Sequence, residues 1–158
     1  AGTPVKYDSG DFPRCQAMAL DAIGHDGFAA RKAKALGDGR YIGLGLANGT
    51  KGTGRGPFET GIVRVGRSGR ITVYTGAAPM GQSTKTMLAQ ITAEQFGVEP
   101  KDIHVVAGDT GYVSMGHGGF ASRQAVNAGS SVQIAAIKVR EKVLTAAASL
   151  LDAPLEDL

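Results

Sequence analysis

Two passages carry residue types from which a binding chemistry can be built. One is TGAAPMGQST (75–84) and the other is GHGGFASRQ (116–124). Each sets glycine just ahead of a helix-forming run. At a helix start the first N–H groups lack intrahelical partners and the positive end of the helix dipole points outward. A phosphate settles at such a place readily. Ser83, Thr84 and Ser122 add hydroxyls, and Arg123 adds a charged fork. Gln82 offers a donor and an acceptor on one amide, which suits a heteroatom-rich ring. Two such junctions in 158 residues point to a ligand with a phosphate or pyrophosphate and a polar head. The same residues also read as ordinary N-caps, Ser83 or Thr84 for one helix and Ser122 for the other. Residue types alone leave both readings open.

Nucleotide motifs fit less well. GAAPMGQS (76–83) follows a strand and opens a helix, as the phosphate loop GxxxxGK[ST] does, but Gln82 stands where the lysine belongs. Glutamine does not supply the point charge that reaches the β- and γ-phosphates. Lys85 comes three residues late, and Gly108 interrupts IHVVAGD as a metal-carboxylate strand. The glycines from Gly52 to Gly56 open no helix, so they are expected to form a turn without a ligand.

The elements that must position these passages can be read from periodicity. Asp11 caps an expected helix at about 12–24, with Pro13 in its first turn and Gly24 ending it. A second helix is expected over 27–36. The period then changes to alternation: YIGLGLANG (41–49) reads as a strand with another backbone close by. FETGIVRVGRSGRITVYTG (58–76) is a hairpin, with Ile62, Val63 and Val65 before Arg-Ser-Gly and Ile71, Val73 and Tyr74 after it. A helix over 82–96 buries Met87, Leu88, Ile91, Thr92 and Phe96 and ends at Gly97. A strand follows at 102–108. A last helix spans about 122–151 on a stripe of Val132, Ala136, Val139, Val143, Ala147 and Leu150. Ala125, Ala128 and Gly129 let its first turns lie close to a neighbour. Residues 1–14 are expected to be extended up to the first helix. The implied class is α+β, a two-layer arrangement with a mixed sheet and helices on one face.

Composition bounds the rest. Twenty-four glycines are about twice the average share of roughly 7% and gather in loops such as GLGLANGTKGTGRG (43–56). The net charge is +3, yet no aromatic platform interleaves the basic residues, so nucleic acid is not the expected partner. Cys15 is the single cysteine and precludes an internal disulfide. With no basic-then-apolar leader and no apolar run of membrane length, a cytoplasmic setting is expected, with the periplasm as the alternative. The chain begins at Ala1 rather than Met, and LLDAPLEDL carries no helix-stop pair; both ends read as candidate cuts in a longer protein.

MGQSTKTMLAQITAEQFGVEPKDIHVVAGDT (80–110), followed by GHGGFASRQAVNAGSSVQIAA (116–136), resembles the molybdenum-cofactor-binding domain of the xanthine dehydrogenase/aldehyde oxidase family. The style is that of bacterial large subunits related to carbon monoxide dehydrogenase and isoquinoline oxidoreductase. VKYDSGDFP (5–13) is similar to the stretch preceding that domain. The resemblance covers most of the chain, so residues 1–158 are expected to form a single partial molybdopterin-binding domain. In it, 1–40 is a helical lead-in and 41–158 holds the sheet and two long helices.

By position, the resemblance implies that Met80, Gly81 and Gln82 contact the pterin and its phosphate side, and that Gly119, Phe120, Ala121, Ser122, Arg123 and Gln124 form a second wall. The family pattern has Gly where Ser83 stands, and Gly111 and Ser114 replace residues often Asp and Pro. His117, between glycines, is expected to be mobile and exposed, with a phosphate contact as the alternative. The resemblance further implies molybdopterin, in the cytosine dinucleotide form, with Mo. It implies iron–sulfur clusters and FAD or another acceptor on partner subunits or domains, flavin or cytochrome. The reaction implied is oxidative hydroxylation of an aldehyde or N-heterocycle with water as oxygen source. The glutamate base of the family's late GVGE-like segment does not occur here, and Glu94 and Glu141 sit within helices as solvated faces. No catalytic residue and no protein ligand to a metal is therefore expected, and the chain alone is expected to be inactive without the remainder of the large subunit. The reading set against this one is a phosphate- or nucleotide-binding module unrelated to molybdenum.

Overall fold

A computed structural model describes residue 4 and residues 6–158. The expected extended lead at 1–14 and the VKYDSGDFP stretch lie partly outside the described residues. The chain divides into two units, 1–50 and 51–158.

In the first unit, helix α1 (Phe12–Ala22) starts where Asp11 accepts the Arg14 N–H at 3.0 Å, with Pro13 in the first turn. Gly24 ends it in the left-handed conformation at φ 62°. Helix α2 (Phe28–Gly37) follows and buries only Ala35. The strand expected at 41–49 does not form. Its residues pair with no strand among those described, and Tyr41, Leu44 and Leu46 face solvent. Glycine alternation suits a close neighbour but disfavours an extended chain left without one, because glycine loses the most backbone entropy on ordering. Two side-chain bonds hold the segment's far end, Asn48 Nδ2 to Gln16 Oε1 (3.4 Å) and Tyr7 with Thr50 (3.2 Å).

The second unit is an α+β two-layer domain. Strands β1 (Gly61–Val65) and β2 (Ile71–Thr75) pair antiparallel. The turn between them closes by Gly66 N–H to Arg70 O (2.9 Å) and Gly69 N–H to Gly66 O (2.9 Å), with Gly69 at φ 80°. From β2 the chain passes through helix α3 (Thr84–Phe96) to strand β3 (Ile103–Ala107), which lies parallel to β2. Sheet order is β1-β2-β3, so the sheet is mixed. A π-helical turn (Gln124–Ala128) then leads into helix α4 (Gly129–Leu151). Helices α3 and α4 pack on each other, α4 lying on β1 and α3 on β3.

Register explains the core. Val63, Val73 and Val105 form one row across the three strands, and Ile71 and Ile103 sit in the next. All five are buried beneath Leu88, Ala89, Ala93, Ala128, Val132 and Ala136. Leu88 alone, fully enclosed, contributes on the order of 1.5–3 kcal/mol. Thr92 joins this core because its hydroxyl donates back to Leu88 O at 2.8 Å, leaving no unmet polar group. Small residues bring the elements into contact as expected: a Cβ on Gly61 would lie 2.7 Å from Val132 N, and one on Gly129 3.1 Å from Ile91 Cδ1.

The stripe expected along the last helix is only half covered. Val132 and Ala136 are buried, while Val143 and Leu150 are exposed. The cause is length. A helix of 23 residues runs about 35 Å, whereas strands of five residues span about 17 Å. The distal turns overrun the sheet.

Candidate functional site

Both glycine-led passages open on one cavity of about 400 Å³ in the second unit. Met80, Gln82, Gly119, Phe120, Ala121, Ser122, Arg123 and Gln124 line it, which brings together every expected site residue except Gly81. Gly81, at φ 97°, makes the turn between Met80 and Gln82. Lys51, Thr84, Met87 and Ala125 also line it. From the sequence Met87 is expected in the core stripe, and Lys51 carries no expected part in the site. Thr84 stood among the first-turn hydroxyls, with N-capping as its other reading.

The two walls are joined by an amide network. The Gln82 carbonyl accepts the Met80 N–H at 2.6 Å, and the Gln82 amide donates to Gln124 Oε1. The same oxygen accepts from the Thr84 hydroxyl at 2.5 Å, and Gln124 Nε2 donates to Ala78 O at 2.7 Å. Thr84 and Gln124 are buried, while Gln82 is exposed. The Thr84 hydroxyl therefore spans the two passages instead of capping α3.

Ordinary capping does not describe either helix start. Ser83 holds the N-cap position of α3 without a side-chain cap bond, at φ 61°. Ala121 (φ 47°) and Ser122 (φ 52°) are also left-handed, and Arg123, not Ser122, stands at the N-cap of the π turn, again without a side-chain cap. Left-handed backbone at non-glycine residues costs of order 1–3 kcal/mol each and gathers at binding sites. Among the described residues only Asp152, at the C-terminal end of α4, shares it. The π turn is a further irregularity of a kind frequent at functional sites. Glycine at the position of Ser83 in the family pattern matches this geometry, since glycine adopts positive φ without strain.

The expectation that Arg123 offers a free charged fork is corrected. Its side chain is fully buried and its donors are spent on protein acceptors. Nη1 donates to Glu59 Oε2 (2.7 Å) and Gly118 O (3.0 Å), Nε to Arg55 O (2.9 Å), and Nη2 to Phe58 O. A buried guanidinium needs this many partners, because desolvation without them costs more than one ion pair returns. Glu59, equally buried, also accepts the N–H groups of Thr60 and His117, each at 3.1 Å. His117 is correspondingly not exposed. It is half-buried, its ring stands edge-on to Phe58 at 4.7 Å, and it does not line the cavity. Glycine 76 lets this loop approach: a Cβ there would lie 2.5 Å from Gly116 Cα.

The donor set fits a phosphorylated, nitrogen-rich ring. It comprises neutral amides, a hydroxyl at Ser122, backbone N–H groups of a left-handed passage, and the ammonium of Lys51. Gly119 forms a cradle: a Cβ there would stand 2.5 Å from both Gln124 Nε2 and Met80 Cε.

Comparison with known proteins agrees with this picture. Residues 18–158 match the family model for the molybdopterin cofactor-binding domain. Over 98% of its length the chain is 39% identical to the 6-hydroxypseudooxynicotine dehydrogenase complex subunit gamma of Paenarthrobacter nicotinovorans, covering 20% of that protein. It is 31% identical to the carbon monoxide dehydrogenase large chain of Afipia carboxidovorans, over 97% of this chain and 21% of that one. Among solved structures, quinoline 2-oxidoreductase from Pseudomonas putida 86 superposes with a TM-score of 0.69 and 34% identity, over 96% of this chain and 21% of that one. The chain thus spans about a fifth of the length of these relatives.

Proposed function

The chain belongs to the molybdopterin cofactor-binding domain family, and on that premise we propose that its cavity forms one side of the molybdopterin site in a large subunit of molybdenum hydroxylase type. The observation that carries the reading is the Gln82–Gln124 bond, which holds both passages over one cavity. Gln82 keeps one amide hydrogen and one carbonyl lone pair free for a pterin edge. Gln124 keeps one N–H, beside the cradle at Gly119. Met80, Gly81, Gln82 and residues 119–124 then contact the cofactor. Phe120, Ala121 and Ser122 do so directly, and Arg123 does so through the backbone it holds.

When bound, the cofactor supplies the redox and oxygen-transfer chemistry. The residues of this chain bind and orient it, and none acts on substrate. The complete protein's reaction is oxidative hydroxylation of an aldehyde or N-heterocycle with water as oxygen source. Its cofactor is the cytosine dinucleotide form, and its partners are iron–sulfur and flavin or cytochrome subunits in the cytoplasm. Residues 1–158 act as one partial domain within it. No helix among the described residues is long and apolar enough to cross a membrane.

Elemental and nucleotide analysis of the complete large subunit tests the reading. About one Mo per subunit, with cytidine monophosphate released on acid hydrolysis, is expected. Thermal stabilisation by ATP in a protein free of Mo and pterin would instead favour a nucleotide-binding module and sink it.

A further inference from the structure

With Arg123 consumed by Glu59 and three carbonyls, the cavity lacks the free guanidinium expected from its sequence. One other charged residue lines it, Lys51, and no carboxylate does. Lys51 is exposed and forms no ion pair or side-chain hydrogen bond among the described residues.

Its place is built rather than incidental. The loop that begins at Lys51 is fastened to residues 121–127 at three points: Gly54 N–H to Ala121 O (2.8 Å), Arg123 Nε to Arg55 O (2.9 Å), and Asn127 Nδ2 to Gly56 O (3.4 Å). Two of its glycines are required there. Gly54 sits at φ 71°, where a Cβ would lie 2.9 Å from Val126 Cγ1, and Gly56 sits at φ 103°, where one would lie 3.1 Å from Arg123 Nε. The stretch Gly52–Gly56, expected to be a turn without a ligand, lines no part of the cavity itself but packs on the residues that do, next to Lys51. The anchor, Ala121, belongs to the left-handed pair Ala121–Ser122, whose own N–H groups donate to no backbone acceptor among the described residues.

We propose that Lys51 is the cationic contact of this site, pairing its ammonium with a phosphate of the pterin ligand beside Ala121 and Ser122, and that Arg123 serves only to hold the loop carrying it. The inference rests on the molybdopterin reading above and adds a residue to it. A charge-assisted contact at an exposed rim is modest in strength and screened by salt.

The test uses the complete large subunit carrying Lys51→Arg, Lys51→Met or Lys51→Glu. Pterin is measured by fluorescence after oxidation, and Mo by elemental analysis, following gel filtration at low and at high ionic strength. At low salt K51M is expected to lose pterin about three- to tenfold faster than wild type. K51E should lose it faster still, K51R should match wild type, and the differences should shrink at high salt. Thermal unfolding of the pterin-free forms should be unchanged. K51E holding pterin like wild type at low salt overturns the proposal. So does equal loss from K51R and K51M with shifted unfolding, since that marks a loop-packing role. A wild-type protein devoid of pterin and Mo instead overturns the cofactor reading beneath it.

Discussion

Gln82 and Gln124, 42 residues apart, donate and accept one hydrogen bond between the two passages that border the cavity. Their surroundings differ. Gln124 is buried, and both lone pairs of its carbonyl are taken, by Gln82 and by Thr84. Gln82 is exposed and half of its amide is free. One glutamine is therefore fixed by the protein, and the other is available to a ligand.

That asymmetry predicts a split between two alanine variants. Gln82→Ala loses two hydrogen bonds but leaves the Thr84 bond on Gln124 in place and water in reach of Met80, and should cost about 0.5–1 kcal/mol. Gln124→Ala strands the buried Thr84 hydroxyl and the Ala78 carbonyl, and should cost about 1–3 kcal/mol. Both should lower pterin retention in the complete subunit. Urea titration beside Mo analysis separates the effects, and equal stability losses would contradict the assignment.

How far the sequence announced this arrangement depended on how local each signal was. The hairpin was legible because Val63, Val65, Ile71 and Val73 alternate around a turn whose glycine needs positive φ. The two passages were legible because glycine before a helix is a short-range pattern. Residues 41–49 misled because alternation records a wish for a neighbouring strand, not its presence. Arg123 was legible as a cation but not as a buried one. A sequence shows that a cation stands beside a glycine-rich junction but not that Glu59, 64 residues earlier, is buried against it. Lys51 gave no local sign, since its place depends on Gly54 meeting Ala121.

Breaking the buried pair should therefore act on the fold. Arg123→Met leaves the Glu59 carboxylate enclosed without its cation and frees the carbonyls of Arg55 and Phe58. A loss of about 3–5 kcal/mol is expected. Adding Glu59→Leu should recover part of it, because the stranded charge is removed. Equilibrium urea unfolding of both variants checks this, and a single variant as stable as wild type would show the pair to be dispensable.

Neighbouring glycines should separate fold from site. In Gly119→Ala the new methyl meets Gln124 Nε2 and Met80 Cε. Exposed Met80 can swing aside, but Gln124 is held by Thr84 and Ala78. Overpacking of about 1–3 kcal/mol and a marked loss of pterin are expected. Gly118→Ala meets nothing within 4 Å but must adopt φ 75°, at a cost of about 1–2 kcal/mol, and should keep its pterin. Pterin-to-protein ratios of the two purified variants provide the comparison. Similar ratios would argue against the cradle.

Ser83 distinguishes a cap from a strained passage. If its hydroxyl capped α3, Ser83→Ala would cost about 1 kcal/mol. The hydroxyl makes no cap bond and the backbone sits at φ 61°. Ser83→Ala should therefore be nearly neutral, with the same backbone strain retained. Ser83→Gly removes the Cβ that opposes the left-handed conformation, a relief of about 1–2 kcal/mol. The greater freedom of glycine in the unfolded chain offsets about 0.4–1 kcal/mol of that. A net gain of between about zero and about 1.6 kcal/mol is left. Thermal and urea unfolding of the two variants should thus rank glycine at or above serine, with alanine level with serine. The reverse order, alanine well below serine and glycine only slightly below, is the signature of capping and would place the Ser83 hydroxyl on the first turn of α3 rather than leaving the passage shaped for a ligand.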